Sequence, residues 1–518
     1  MGATLKDDFL KQGFELRETH ISWVFLGKDR VYKVKKPVSL GFLDFSTLAD
    51  RKAACEAEIS LNRRLAPEVY VSMQPVLRDA SGTHILGGEG EVVDYAVEMV
   101  RLADDASAQA LHTRGTLTAA HIELLATRLA EFHRSCRADT ETARFGEVET
   151  ILGNVRENFE QTRVSGPAHL SSDQIAAIER AQIEFIEQHR ERFAERIAEG
   201  YVRDGHGDLR LEHVYFDGNE VQIIDCIEFN DRFRYGDVCA DLAFLSMDLA
   251  YNERVDFAEL LLATYARESN DYGLYGLVDF YASYRAYVRA KVTAMMEAQA
   301  DLADSLRAEL HKRAHEFFVL AAAEMRPPLD PPVMIAVFGP IATGKSTLAL
   351  QLSRSLYAPM ISSDRIRKYL AGVSAETSVA DGQYTGAYSP EMTARVYEHT
   401  LHCARTVLQS QRSIILDATC SRVEQRAMFA ELAKRCDVPL LFVECMVPDD
   451  ICRERLIERE KGRSISDGRI SLLSEFRARY QQPTEVPAAR LLRIDTTTID
   501  DALVQAVLTH PALTLNRE

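Results

Sequence analysis

The chain has 518 residues, too many for one ordinary core, and its 46% apolar and 27% charged composition is that of a soluble globular protein. A formal net charge of −17 disfavours bulk binding to nucleic acid or anionic membranes, yet leaves open a locally basic site. No run approaches the roughly 18 apolar residues of a membrane span. The opening MGATLKDDFLKQGFELRETH lacks a secretory apolar core, and Lys6 breaks the myristoylation pattern, so a cytoplasmic chain is expected. The nine cysteines are scattered with no CxxC pair, which disfavours zinc and points to reduced, partly buried thiols.

In chain order, ISWVFLG and RVYKVKK flank the turn-prone GKD and predict a hairpin. TLADRKAACEAEISLNRRL predicts a helix and EVVDYAVEMV a further strand. From about residue 115 helical patterns dominate, interrupted by HGDLRLEHVYFDGNEVQIIDCIEF, whose FDGNEV marks a tight turn between two short strands. SLRAELHKRAHEFFVLAAAEM has the spacing of an amphipathic helix. RPPLDPPV then places four prolines within residues 326–332, a stiff and extended connector. VMIAVFG follows as a short apolar run suited to a buried parallel strand. The expected division is residues 1–325, a proline-rich linker at 326–332, and residues 333–518.

GPIATGKS, Gly339 to Ser346, fits G-x-x-x-x-G-K-[ST] at every fixed position, between a predicted strand and the predicted helix TLALQLSRSL. Such a loop turns backbone N–H groups onto phosphate oxygens and adds the dipole of the helix. The expected ATP-binding residues are therefore Gly339, Pro340, Ile341, Ala342, Thr343, Gly344, Lys345, Ser346 and Thr347. Lys345 would reach the outer phosphates and Ser346 would ligate Mg²⁺.

Downstream, APMISSDRIRKYLAG places Asp364 at the end of a short strand, with Arg367 three residues on, and SIILDATC places Asp417 at the end of another. DDICRERLIEREKGRSISDGRISLLSEFRARY carries seven arginines between 453 and 479. From residue types alone, Asp364 could cap a helix, Asp417 could be a turn residue or a metal-shell acid, and the arginines, alternating with Glu454, Glu458 and Glu460, could form an ion-paired face. Over most of residues 333–500 this part resembles the P-loop kinases of the zeta-toxin, chloramphenicol phosphotransferase and polynucleotide-kinase-like group. The resemblance implies that Asp364 takes the proton from an acceptor hydroxyl and Arg367 holds substrate. It also implies that Arg453, Arg455 and Arg459 close as a lid on the transferring phosphate.

HGDLRLEHVYF followed by VQIIDCIEF resembles the aminoglycoside phosphotransferase family, small-molecule relatives of the protein kinases. Across roughly residues 15–320 the resemblance implies a catalytic aspartate at Asp208 and a metal-binding acid at Asp225. It further implies a phosphate-binding lysine at Lys33, with Lys35 as fallback, and a partner glutamate at Glu58, with Glu56 second. YGDVCADLAFL matches a segment whose Asp241 braces the catalytic loop. Two departures stand out: only Gly27 precedes Lys33 where a glycine-rich loop is common, and His213 occupies a metal-ligating asparagine position. Imidazole prefers softer metals than Mg²⁺. Either that metal position is lost, or Glu212 or Glu228 substitutes, or Mn²⁺ is used.

The fold expected is thus mixed α/β and α+β: a bilobal kinase-like fold, then a P-loop parallel sheet flanked by helices. The function expected is ATP-dependent phosphotransfer, with Mg²⁺ or Mn²⁺, to the hydroxyl of a small molecule, with two nucleotide sites. Two other readings stay open: a regulatory ATP-binding protein whose kinase-like part senses a ligand, and a toxin-like or polynucleotide 5′-hydroxyl kinase.

Overall fold

The structure is a computed structural model that describes residues 4–40, 43–299, 302–325, 331–377, 386–460, 465, 468–470 and 473–513. The expected linker falls largely on residues 326–330, outside the described residues. Packing divides the chain into two compact units. One comprises Met1–Glu253 and Phe280–Ala322, the other Arg254–Asp279 and Ala323–Glu518. The sequence predicts a mixed α/β architecture with a small antiparallel sheet and a mostly helical part before a C-terminal parallel sheet, and these are what form.

In the first unit, six strands among the described residues form an antiparallel sheet. Their order is Glu15–Glu18, Ser22–Leu26, Arg30–Lys35, Glu91–Val100, Tyr70–Arg78, His84–Leu86. The predicted hairpin and the predicted strand EVVDYAVEMV are three of these. Strand Tyr70–Arg78 has no counterpart in the sequence reading, because Pro75 and polar Ser72 and Gln74 break the apolar alternation. It pairs all the same, with register irregularities between Tyr70 and Ser72 and between Val76 and Leu77. Helix Leu48–Asn62 starts at Thr47, whose hydroxyl accepts from the Asp50 N–H at 3.1 Å. Its buried face carries Cys55, Glu58 and Ile59 toward the sheet. Beyond residue 104 the unit is mainly helical, and the hairpin Val214–Asp217 with Glu220–Ile223 interrupts it.

The second unit is built on five parallel strands among the described residues, in the order Met360–Ser362, Ile414–Asp417, Met334–Phe338, Leu440–Met446, Leu491–Asp495. Met334–Phe338 is buried along its whole length, as a strand covered on both faces must be. Residues 254–279 join this unit through helix Val255–Ser269 and the turn Tyr272–Gly276. The Tyr272 hydroxyl donates to the Met360 carbonyl at 2.6 Å, and Arg365 pairs with Glu268 at 3.1 Å. Arg412 holds Glu259 and Asp279, each at 2.8 Å. All nine cysteines are free thiols, and eight are buried. Among the described residues, no helix is long and apolar enough to cross a membrane.

Candidate active sites

Strand pleating puts Lys33 and Lys35 on one face of Arg30–Lys35. Glu58 lies between them: Lys33 Nζ is 2.8 Å from its Oε1 and Lys35 Nζ is 2.6 Å from its Oε2. Lys33 also reaches Asp225 at 2.6 Å, whereas Lys35 is fully buried and pairs with Glu228. Glu56 is exposed and meets Lys52 instead. A buried chain of alternating charge thus runs Asp225, Lys33, Glu58, Lys35, Glu228. Burial lowers the Lys33 pKa, but Asp225 and Glu58 outweigh it and hold the ammonium charged.

The register of the hairpin, Val214 opposite Ile223, brings His213 beside Asp225. Asp225 sits at φ 66°, a left-handed conformation that costs a side-chain-bearing residue about 1–3 kcal/mol and clusters at functional positions. Its N–H donates to the Tyr70 hydroxyl at 3.2 Å. Burial pushes the Asp225 carboxyl up, but Lys33 and His213 pull it well below the usual carboxylate range. The His213 Nδ1 donates to the Asp208 carbonyl at 2.8 Å, which fixes the proton on Nδ1. Its Nε2 therefore presents a lone pair, 3.6 Å from Asp225 Oδ2 and 3.2 Å from the donating Arg210 Nη2. Burial, then Arg210, pushes His213 down to about 4, so the ring is neutral at neutral pH.

The loop that carries Asp208 is held from behind. Asp241 accepts from the N–H groups of His206 at 2.7 Å and Gly207 at 2.8 Å. Gly207 adopts φ 88°, and a Cβ there would stand 2.6 Å from the Phe233 carbonyl oxygen, so only glycine fits. His206 donates from Nε2 to the Ile224 carbonyl at 3.0 Å, tying the loop to the strand that ends before Asp225. Asp208 itself is bound through both carboxylate oxygens by Arg210, at 3.1 and 2.9 Å.

In the second unit the P-loop leaves the central strand. Gly339 has φ 138° and a Cβ there would stand 2.6 Å from the Cys445 carbonyl oxygen, while Ala342 and Gly344 also take positive φ, 63° and 82°. Lys345 Nζ donates to the Pro340 carbonyl at 2.7 Å, as does the Thr343 hydroxyl at 2.9 Å. Ile341 is buried against Cys452 and Leu456, and Ser346 and Thr347 open helix Lys345–Leu356 from exposed positions. The Ser346 hydroxyl donates to Asp417 at 2.7 Å. Burial raises the Asp417 carboxyl, Lys345 opposes this, and burial lowers Lys345 in turn. The charge of Asp364 acts on Lys345, Asp417 and Arg459. Asp364 lies in the first turn of helix Ser363–Leu370, whose N-cap is Ser362.

The arginines divide. Arg459 feels Asp364 and Asp417. Arg455 donates to the carbonyls of Thr496 at 2.8 Å and Thr497 at 2.9 Å, and so braces the ground beneath the loop. Arg453 is exposed. Arg367 is buried over the Tyr388 ring and donates to the Ala387 carbonyl at 2.6 Å.

The donor sets fit a nucleotide with a divalent metal. One unit offers a lysine, a glutamate and an aspartate around a neutral imidazole nitrogen. The other offers a backbone cradle that a Cβ at Gly339 would fill. A model of the phosphotransferase enzyme family matches residues 29–281, and an AAA domain model matches residues 334–483. The uncharacterized proteins Rv2004c of Mycobacterium tuberculosis and Mb2027c of Mycobacterium bovis are each 34% identical over 463 residues, 88% of this chain and 88% of theirs. Residues 29–281 form a domain of the phosphotransferase enzyme family, and the chain belongs to one family with these mycobacterial proteins.

In this phosphotransferase the family domain is followed by a P-loop kinase domain, the one matched by the AAA model, and kinases of these families use ATP with a divalent metal. Among solved structures, a choline/ethanolamine kinase family protein of Mesorhizobium loti is 12% identical, covers 60% of this chain and 92% of its own, and has a TM-score of 0.35. Kti12 of Chaetomium thermophilum, in complex with ADP-AlF3, is 22% identical, covers 34% of this chain and 94% of its own, and has a TM-score of 0.27. The family models and the mycobacterial relatives carry the assignment.

Sequence reasoning did not single out Arg210, which occupies a variable position of the catalytic motif and reads there as a solvated charge. Nor did it reach Tyr70, on the strand that Pro75 hides. Thr496, whose hydroxyl donates to the Thr343 carbonyl at 2.5 Å, belongs to a loop with no motif at all.

Proposed function

We propose that this phosphotransferase transfers the γ-phosphate of ATP to a hydroxyl of a small, negatively charged acceptor at its N-terminal site, and that its P-loop forms a second nucleotide site. The observation that carries the reading is the convergence of Lys33, Glu58 and Asp225 beside the braced loop of Asp208. In this reading Lys33, oriented by Glu58, holds phosphate oxygens, and Asp225 with His213 Nε2 would hold the metal. The metal–nucleotide supplies the phosphoryl group and neutralises its developing charge. Asp208 accepts the proton of the acceptor hydroxyl.

Charge near Asp208 supports an anionic acceptor. Arg210 already grips one carboxylate, and Arg289, 5.6 Å over the Phe317 ring, feels Arg210, Asp208 and Asp248. Burial and then Arg210 hold the Arg289 guanidinium down to about 10, a state that an incoming anion would relieve. An aminoglycoside, a polycation, would meet the wrong sign here.

At the second site the backbone of residues 339–347 would cradle phosphates, Lys345 would reach them, and Ser346 with Asp417 would hold the metal. Asp364 would take a second acceptor proton, with Arg367 and Arg459 as the cations that hold the acceptor and the transferring phosphate. Both sites suit a protein of the cytoplasm, where ATP and Mg²⁺ are plentiful. The test is ATP turnover and nucleotide binding by the whole chain and by Asp208→Asn, Lys345→Ala and the double variant, against a panel of phosphorylated and carboxylated alcohols. Turnover in the double variant equal to that of the parent would sink the reading.

A further inference from the structure

Away from both nucleotide sites, three distant segments of the N-terminal unit bring two imidazoles and a carboxylate together. His169 follows the turn Gly166–Ala168, Glu297 ends helix Val278–Glu297, and His311 lies on helix Asp304–Ala323. His169 Nε2 is 3.2 Å from one carboxylate oxygen of Glu297, and His311 Nδ1 is 3.0 Å from the other. Ligand atoms from the three residues lie within 4.8 Å of one another, and the two rings are 4.6 Å apart. We propose that His169, Glu297 and His311 bind a divalent transition-metal ion of the Zn²⁺ class.

Bond geometry supports this. An ion with metal–ligand bonds of about 2.0–2.1 Å in tetrahedral array sets its ligand atoms about 3.3 Å apart. The two measured separations, each to a different oxygen of Glu297, are of that order, and one ligand atom from each of the three residues lies within 4.8 Å of the others. The donor set decides the class of metal: two imidazoles with one carboxylate suit Zn²⁺ and its neighbours, whereas Mg²⁺ and Ca²⁺ take oxygen.

His169 adds an independent sign. Its side chain is 2% exposed, and its Nδ1 is buried without a hydrogen-bond partner. A buried polar atom left so costs about 1–3 kcal/mol and calls for a reason. With its proton on Nδ1, the ring turns the Nε2 lone pair toward Glu297 and an ion. Burial lowers the His169 pKa, with Glu297 opposing, and so favours the neutral form that a ligand needs. One turn beyond His311, His315 donates from Nδ1 to the His169 carbonyl at 2.8 Å, which holds the His169 backbone to the helix. His311 keeps 48% of its side chain in water, so an ion has a path in and a water can complete its shell. The ion would staple the Gly166–Ala168 turn to both helices. Cysteine spacing gave no hint of it, because no cysteine takes part.

The test uses the untagged full-length chain, stripped with a chelator and titrated with Zn²⁺, then with Co²⁺ as a spectroscopic probe. His311→Ala and Glu297→Gln should each lose one equivalent of bound Zn²⁺ relative to the parent. Their affinity at this site should fall by at least about tenfold, since even outer-shell changes cost that much. His213→Ala should keep that equivalent, which separates this site from the nucleotide site. The visible bands of tetrahedral Co²⁺ should vanish in the same two variants and persist in His213→Ala. Metal-free melting of each variant checks the fold. A parent that takes up no more Zn²⁺ than His311→Ala would overturn the proposal and leave a hydrogen-bonded His–Glu–His bridge.

Discussion

Arg210 clamps Asp208, donating to both of its carboxylate oxygens from Nε and Nη2. Burial raises the Asp208 carboxyl, yet Arg210 and His213 draw it well below the usual range, so in this arrangement Asp208 is a weak base. An anionic acceptor that takes over the Arg210 guanidinium would release the carboxylate at the moment a base is needed. Asp208→Asn should cut transfer by about 10²–10⁴-fold and leave nucleotide affinity nearly unchanged. Arg210→Met should raise the acceptor KM by about tenfold or more. An unchanged KM for every anionic acceptor would sink the clamp.

In the proposed reading His213 sets the choice of metal. Its Nε2 lone pair, 3.6 Å from Asp225 Oδ2, is a nitrogen donor where the family carries an amide oxygen. The parent should therefore turn over faster with Mn²⁺ than with Mg²⁺. His213→Asn should reverse that order, read as the ratio of initial rates with the two ions. The same ratio in parent and variant would remove His213 from the metal shell.

At the P-loop, the Ser346 hydroxyl on Asp417 marks the expected metal position. Ser346→Ala should weaken metal-dependent nucleotide binding while metal-free binding stays as it was. Lys345→Ala should weaken both. The measurement is nucleotide titration of the full chain carrying Asp225→Asn, so that the other site contributes little. Binding by Lys345→Ala at full strength would place the second nucleotide elsewhere.

How much of this was legible depends on where the signal resides. The P-loop and the HGD loop were readable because their chemistry constrains consecutive residues: Gly339 and Gly207 admit no Cβ, and Asp208 and Asp225 sit on either side of one short hairpin. Lys35 and Glu228 were harder. Lys35 reads as a fallback for Lys33, and Glu228 as a substitute at the metal position that His213 occupies; only the fold reveals one buried chain through Glu58. Strand Tyr70–Arg78 was hidden by Pro75. The allegiance of residues 254–279 was invisible, since their apolar periodicity says that they pack but not against what. His169, Glu297 and His311 meet from separate segments, and no local pattern announces such a meeting.

That allegiance has a mechanical consequence. Arg412 makes paired hydrogen bonds to Glu259 and to Asp279, all within the second unit. Arg412→Met should destabilise that unit by about 3 kcal/mol, because two carboxylates lose their partner together. The figure is at the low end because Asp279 keeps 36% of its side chain in water. Tyr272→Phe removes only the hydroxyl on the Met360 carbonyl and should cost about 1 kcal/mol. Denaturant unfolding followed by a probe in the second unit reads both. An Arg412→Met transition that coincides with the parent's would show that residues 254–279 are passengers.

The same cluster should write a pH dependence into stability. Glu324 is pushed up to about 7, first by burial and then by Asp279, with Arg412 opposing and Glu259 adding to the rise. Unfolded, it would titrate near the ordinary glutamate value of about 4.3. Between these limits the folded state binds the proton and the unfolded state does not, so stability falls as pH rises from about 4.3 to about 7 and levels off above. The full effect is at most about 4 kcal/mol, taken from the gap between the two values. Glu324→Gln cannot lose that proton. Its unfolding midpoint should match the parent's near pH 4 and exceed it at pH 8, because only the parent then carries a charge among Asp279 and Glu259. A difference between the two proteins that stays constant from pH 5 to pH 8 would mean that Glu324 titrates normally and that Arg412 alone balances the cluster.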